Sequence, residues 1–382
     1  MNEENELLEG VLDDPDDDAI RLVFADWLEE HRQEERAEFI RLQIQLDRMP
    51  WEDHRRGVCE IRAQRLLAAH RDEWERPLPA WARGAVIFHR GFAEELSVLA
   101  SQWLEGSHEL LRVAPIQWLH LRSPEFCLKE LAVSDSLAKI TSLNLYHNRI
   151  GPDGMRLLIG SPFLTRLRTL FLTGNGIGEE GAAALVNSQC VRGIRGLSLR
   201  ENVLANGGGI RVASGMWDSL QWLNLSENGI GNSTLRALAD SRHLGELFSL
   251  DLASNMIEPS GLAMLTCAKM DRLTELNLSA NFIADDGVKI LAHWKRPRPW
   301  SALRLWSNAI GDAGAIELAT SPLMVGIRAL DLSGNRITDV GAHALAESPH
   351  LESVHKLDLR ENRLSELGRR EIRSKFGDRV SL

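Results

Sequence analysis

Leu330-Asp331-Leu332-Ser333-Gly334-Asn335-Arg336-Ile337 decides the reading of this chain. Its frame, Leu-x-Leu-x-x-Asn-x-Ile/Leu, returns with the asparagine at Asn148, Asn175, Asn202, Asn228, Asn255, Asn281, Asn308, Asn335 and Asn362, at gaps of 26 or 27 residues. Three residues before each first Leu stands another large apolar side chain, from Ile140 through Trp300 to Val354. Side chains alternate along a strand, so Leu330 and Leu332 point together into a core while Asp331 and Ser333 are expected to face solvent. The Asn then falls at the turn out of the strand. Its amide has donors and an acceptor for backbone groups of its own and neighbouring turns.

A fixed period with the L-x-x-L-x-L-x-x-N core resembles the leucine-rich repeat. The fold this implies is α/β: a horseshoe-shaped solenoid with parallel concave strands and convex helices, preceded by a small helical domain. Each Asn is followed by an apolar anchor, usually a Gly, and a run such as Gly314-Ala315-Ile316-Glu317-Leu318-Ala319, which reads as a helix of two to three turns. Ser-Pro at Ser161-Pro162, Ser321-Pro322 and Ser348-Pro349 marks helix ends. From about residue 115 to 365 the copies resemble the ribonuclease-inhibitor-like subtype. Gly207-Gly208-Gly209 is expected to loosen one helix start, and Lys295-Arg296-Pro297-Arg298-Pro299-Trp300 to stiffen and charge one loop. Gln117-Trp118-Leu119-His120-Leu121 reads as a degenerate first copy with Pro124 in the Asn place, so its turn is expected to differ.

Residues 1–47 read as a separate helical unit. The first eighteen residues hold nine acids and no base. They lack the Gly and closing Glu of a calcium loop and suit a helix start instead. Ile20 to Glu30 and Phe39 to Leu46 carry apolar residues at helical spacing and are expected to pair as a hairpin. Asp16-Asp17-Asp18, Arg21 to Glu30 and Arg36 to Gln43 resemble the repeat-companion domain that precedes leucine-rich repeats in a group of bacterial proteins. That resemblance implies no catalysis; Asp26 and Trp27 read as a cap and a core aromatic, or as a docking surface. Residues 48–112 read as connector and N-terminal cap: a helix from Glu52 to Trp74, strands at Val86-Ile87-Phe88 and Glu95-Leu96-Ser97-Val98, then a helix through Trp103. Residues 113–382 are the solenoid, closed by a charged helix from Leu367 to Phe376 and a short strand.

The net charge of −10 speaks against nucleic acid or an anionic membrane as partner. No apolar run reaches membrane-helix length. The acidic opening Met1-Asn2-Glu3-Glu4 does not read as a secretory signal, and four scattered cysteines suit a reducing compartment, so a cytoplasmic monomer is the expectation.

Chemistry is thinly signalled. Gly176-Ile177-Gly178-Glu179-Glu180-Gly181 matches a dinucleotide fingerprint, but Gly181 recurs with the repeat and two glutamates would repel a pyrophosphate. His343, His350 and His355 fall on different elements, which does not suit a metal. Asp331 and Asp358, about 5 Å apart on adjacent strands, invite a paired-carboxylate reading, yet Arg360 nearby favours a charge network. No nucleophile, base and orienting group converge, so no enzyme, cofactor or metal is expected. The residues expected on the concave face are Tyr146, Phe171, Thr173, Arg200, Trp222, Asn224, Ser226, Asp251, Glu275, Asn277, Arg304, Trp306, Asp331, Lys356, Asp358 and Arg360. Tyr146, Phe171, Arg200 and Trp222, with Arg304 and Trp306 apart, are the types enriched at interface hot spots. The expected function is capture of an unidentified protein on that face; regulation of a GTPase and a self-associating scaffold are the alternatives.

Overall fold

The computed structural model describes residues 3–50 and 53–382. Met1, Asn2 and Glu52, the expected start of the fourth helix, lie outside the described residues. The chain divides into two compact units, Met1–Leu145 with Ser161–Arg166, and Tyr146–Gly160 with Leu167–Leu382.

Unit 1 begins with helices α1 (Glu3–Asp13), α2 (Asp18–Glu30), α3 (Glu34–Arg48) and α4 (Arg56–Trp74). The acidic run is a helix followed by a cap: Asp17 accepts the amide of Ala19 at 2.8 Å and starts α2. Helices α2 and α3 pair as a hairpin. Their apolar stripes meet Val11 of α1 in one core with Phe24, Ala25, Leu28, Ala37, Ile40 and Ile44. Trp27 packs against it, whereas Asp26 is exposed and paired with Arg41 at 2.6 Å.

Strands β1 (Val86–His89) and β2 (Phe92–Leu99) form an antiparallel hairpin, followed by α5 (Ala100–Leu110). Phe92 completes the helical core, so the hairpin and helices of this unit share one interior. The hairpin turn is clamped from below. Gln43 donates to the Phe88 carbonyl at 3.0 Å and accepts the Gly91 amide at 2.7 Å; Arg36 donates to the Gly91 carbonyl at 2.5 Å. Gly91 has φ +89°, and a Cβ there would lie 2.4 Å from Ile40. Only glycine fits. Beneath it Arg21 and Glu94, 0% and 1% exposed, form an ion pair at 2.7 Å. Strands β3 (Trp118–Arg122) and β4 (Ser142–Asn144) continue in parallel after β2. After β3 the chain passes through Ser123 at φ +54°, the conformation of the same place in the later turns, and departs from them in the 3-10 turn at Pro124–Phe126.

Unit 2 is a leucine-rich-repeat coil. Its strands are β5 (Thr169–Phe171), β6 (Gly196–Ser198), β7 (Trp222–Asn224), β8 (Ser249–Asp251), β9 (Glu275–Asn277), β10 (Ala302–Arg304), β11 (Ala329–Asp331), β12 (Lys356–Asp358) and β13 (Val380–Ser381). Each runs parallel to the next, and the leucines stay in register: Leu276, Leu303, Leu330 and Leu357 are successive partners. Ile327, Leu330, Leu332 and Ile337 are at most 1% exposed. The helix Glu366–Phe376 and β13 close the coil as expected.

Three polar ladders tie the coils. Asn202 shows the first: its amide nitrogen reaches the carbonyls of Leu199, Arg200 and, one coil back, Leu172, all at 2.9 Å. Its oxygen accepts the amides of Asn175 at 3.2 Å and Ile177 at 3.4 Å. Eight of the nine asparagines are buried, and Asn362, in the last repeat, is half-buried. The second ladder is on the helix side. Ser188, Ser321 and Ser348 donate to the carbonyls of Ile159, Ala292 and Ala319, the helix end of the preceding coil. In the third, a side chain from one helix start caps the next: Asp285 accepts the amides of Gly311 and Gly314, Asp312 those of Thr338 and Gly341, Asp339 that of Ser365.

Two expectations are corrected. Gly207-Gly208-Gly209 does not loosen its helix, which runs Ala205–Ala213. Those glycines admit close neighbours, since a Cβ on Gly209 would lie 2.5 Å from Thr234 Oγ1. Ser333, Thr173 and Ser226 do not face solvent; they are 6%, 6% and 4% exposed. The chain is already turning there, and short hydroxyl residues fold into the turn. Thr173 meets Ser198 at 2.9 Å, and Ser226 and Ser333 donate to Asn224 and Asp331 at 2.7 and 2.6 Å.

A candidate partner-binding face

The sheet face of unit 2 away from the helices presents three rows of side chains, one from each outward strand position and one from the turn. In the middle row most residues bend back onto their own backbone. Asn224, Asp251, Asn277, Asp331 and Asp358 each accept the amide two residues on, at 2.9–3.1 Å. This is the Asx-turn, available to a short side chain whose oxygen can reach i+2. Asp331 and Asp358 are register partners, but they do not form a carboxylate pair open to substrate. Asp331 is bound to Ser333, and Arg360 grips both oxygens of Asp358 at 2.6 and 3.0 Å. Burial pushes the Asp358 carboxyl up, and the Arg360 guanidinium outweighs it, holding the group below the usual aspartate range.

The aromatic residues are placed by glycines. Trp222 on β7 leans across Gly196 of β6, where a Cβ would lie 2.2 Å from the indole. The ring therefore crosses a whole strand and meets Phe171 of β5, with centroids 5.5 Å apart and planes tilted by 36°. Both are half-buried. Trp306, 42% exposed, leans the other way over Gly334, where a Cβ would sit 2.9 Å from its Nε1. Tyr146, 50% exposed, stacks edge-on against His147 at 4.0 Å. Arg200 is exposed and bound to Glu227 at 2.6 Å. Arg304 ends β10 and shares its face with Trp306.

Of the six residues, Phe171 and Trp222 touch, Arg304 at the end of β10 and Trp306 just beyond it are two residues apart, and Arg200 and Tyr146 each pair elsewhere. The two groups stay apart: β8 and β9 lie between β7 and β10, a separation of about 14 Å. That gap is polar, with Asn277 donating to Asp251 at 3.1 Å. Along the edge where the strands end, Val203, Met256 and Phe282 are 76%, 62% and 62% exposed. They occupy the variable place in Asn-x-Ile/Leu, so the signal was present in the frame and went unused. Among the described residues no three His, Cys, Asp or Glu side chains converge as a metal site. Among the same residues no helix is long and apolar enough to cross a membrane.

The Leucine Rich repeat family matches residues 136–158, 164–186, 273–292 and 327–346. A stretch of 111 residues, 28% of the chain, is 35% identical to part of the mouse NACHT, LRR and PYD domains-containing protein 14, of which it spans 11%. Among solved structures, an internalin from Listeria monocytogenes aligns over 76% of this chain and 84% of its own, at 18% identity and TM-score 0.44. A TLR13 complex with single-stranded RNA aligns over 66% of this chain and 37% of its own, at 21% identity and TM-score 0.42.

Proposed function

We propose, with the leucine-rich-repeat coil as premise, that this chain is a non-catalytic module that binds a partner protein on the open sheet face of unit 2. Leucine-rich repeats typically serve as interaction scaffolds. The observation that carries the reading is the Phe171–Trp222 pair, two large rings laid side by side on a sheet whose middle row, Phe171 and Arg304 apart, is short and polar. Paired aromatics at a surface offer a partner much apolar area at small entropic cost, and Arg200 and the Arg304–Trp306 pair add hot-spot types beside it. The same reading takes residues 1–47 as a repeat-companion domain, 48–112 as connector and cap, and 113–382 as a ribonuclease-inhibitor-like solenoid of bacterial type. It is supported by Arg21, Arg36 and Gln43, motif residues that all bond to the hairpin turn.

The test is capture from native extract with three baits: the wild-type chain, F171A/W222A and R304A/W306A. Each bait is first checked for folding by circular dichroism. A protein held by the wild type and lost from both variants is the expected result. Unchanged capture by both variants would refute the face.

A further inference from the structure

The two edges of the sheet of unit 2 carry charge unequally. Six loops lead from a helix into β6 to β11, at residues 188–195, 214–221, 241–248, 266–274, 293–301 and 321–328, and together they hold nine Arg and Lys against three Asp and Glu. The six stretches that lead from the same strands to the next helix, on the opposite edge, hold two Arg and three Glu. A chain of net charge −10 thus concentrates cations along one margin. The strands are parallel and in register, so these loops form one row, about 5 Å per step and about 25 Å from β6 to β11.

Arg195, Arg242, Lys269, Lys295 and Arg298 are exposed and form no ion pair among the described residues. Of the three acids, Glu246 is held by Arg272 at 2.6 Å, which leaves Asp218 and Asp271 against those five cations. The loop at 293–301 is held ready for a ligand. Pro297 and Pro299 restrict its backbone, and the Arg296 guanidinium lies 3.6 Å from the ring centroid of buried Trp300. Arg296 is the anchor, and Lys295 and Arg298 on either side of it are left to solvent. Toward the other end the row adjoins the aromatic pair, since the Arg195 carbonyl accepts the Gln221 and Trp222 amides at 2.8 and 3.1 Å.

Cations gathered on one margin raise the local potential and favour an anion there. We infer that this edge binds an acidic segment of the partner protein, a run of Asp and Glu laid along the row; the inference rests on the partner-binding reading of the adjoining sheet face. About eight extended residues span the row, and their carboxylates accept from the guanidinium and ammonium groups. A polynucleotide fits less well. It carries charge along its whole length and meets the acidic remainder of the chain, and among the described residues of the six loops Phe248 is the only exposed Phe, Tyr or Trp on which a base could stack.

The test is fluorescence anisotropy of a labelled ten-residue glutamate peptide with the full chain, beside a ten-residue Gly-Ser peptide and a ten-nucleotide uridine RNA. The glutamate peptide alone should bind, about tenfold or more weaker as salt rises from ~0.05 to ~0.3 M. Arg195→Glu/Arg242→Glu and Lys295→Glu/Arg298→Glu should each weaken it about tenfold. Arg336→Glu/Arg363→Glu, the same change of charge on the opposite edge, should weaken it less than about twofold. All these side chains are exposed, and circular dichroism checks each fold. Phe171→Ala/Trp222→Ala should bind the peptide as the wild type does, so failure of the sheet face and failure of the edge are read separately. No binding of the glutamate peptide, RNA bound as tightly, or equal weakening by the opposite-edge pair would overturn the inference.

Discussion

The helical part of unit 1 and the asparagine ladder of unit 2 bury polar groups by opposite strategies. Unit 1 uses charges, each placed once: Arg21 against Glu94 with no exposure, Arg36 among rings. Burial alone lowers Arg21 and raises Glu94, each in the direction of its neutral form, and their mutual attraction works against that. Unit 2 uses a neutral amide and repeats it nine times. A neutral group avoids the desolvation cost of an ion, and its loss is shared by two coils rather than concentrated at one contact. The comparison teaches that repetition allows inexpensive polar groups, whereas a one-off junction of helices and hairpin leans on ions whose geometry must be right.

The largest expected effect breaks the coil side of this comparison. Asn202→Leu takes the side-chain acceptor from two amides, and from each of three carbonyls one of its two donors, and should cost about 4–5 kcal/mol, measured by urea unfolding. Half-buried Asn362 should cost only about 1–2 kcal/mol on the same change, and equal losses at both sites would mean that burial does not set the ladder's worth. Next comes the ionic side: Arg21→Met leaves buried Glu94 with Arg90, at 2.9 Å, as its remaining cation and should cost about 3 kcal/mol. The double variant Arg21→Met/Glu94→Leu should recover most of it; failure to recover would show that the pair does more than neutralise itself.

A smaller effect concerns the backbone before each ladder residue. His147, Glu201, Glu227, Ser254, Ala280, Ser307 and Glu361 all hold φ between +52° and +57°, a left-handed conformation that L side chains adopt at a cost. Ser254→Gly relieves it and should stabilise by about 0.5–1 kcal/mol in the same unfolding measurement. A loss instead would mean the ladder does not hold a strained turn.

The smallest effect is a pH dependence at the closing helices. Glu371 hydrogen-bonds His343 and raises its pKa, so this contribution is complete below the ordinary histidine value and disappears as pH rises through the raised one. The Ser365 hydroxyl and amide lower Asp339, so that cap is complete above the ordinary aspartate value and is lost as pH falls through the lowered one. Hydrogen exchange of Asp339–Ala346 and Glu366–Phe376 should therefore quicken toward both extremes. Substituting His343 by Gln should remove only the alkaline arm.

The fold was legible because the Leu and Asn positions report a single geometry many times over. The helix caps were legible in principle, since Asp285, Asp312 and Asp339 recur at 27 residues, but acids on a helix start read as ordinary dipole partners. The Asx-turns were hidden for a related reason: an Asp between two leucines reads as an outward solvated group, and nothing local says that it bends to i+2. The lean of Trp222 depends on Gly196 in another coil, and the Arg36 clamp on a hairpin turn 55 residues away. No periodicity carries either of those.

The carboxylate caps give the coil a direction. Three successive helix starts are each sealed by the turn of chain made before them, so in this stretch a new coil is completed by a predecessor that already stands. Duplication of a whole period hands every newcomer its seal, while a fragment would leave one start unsealed and one seal idle. Such a chain can change its length only in whole steps, and the place to add one is wherever Asp follows Asp at the full spacing.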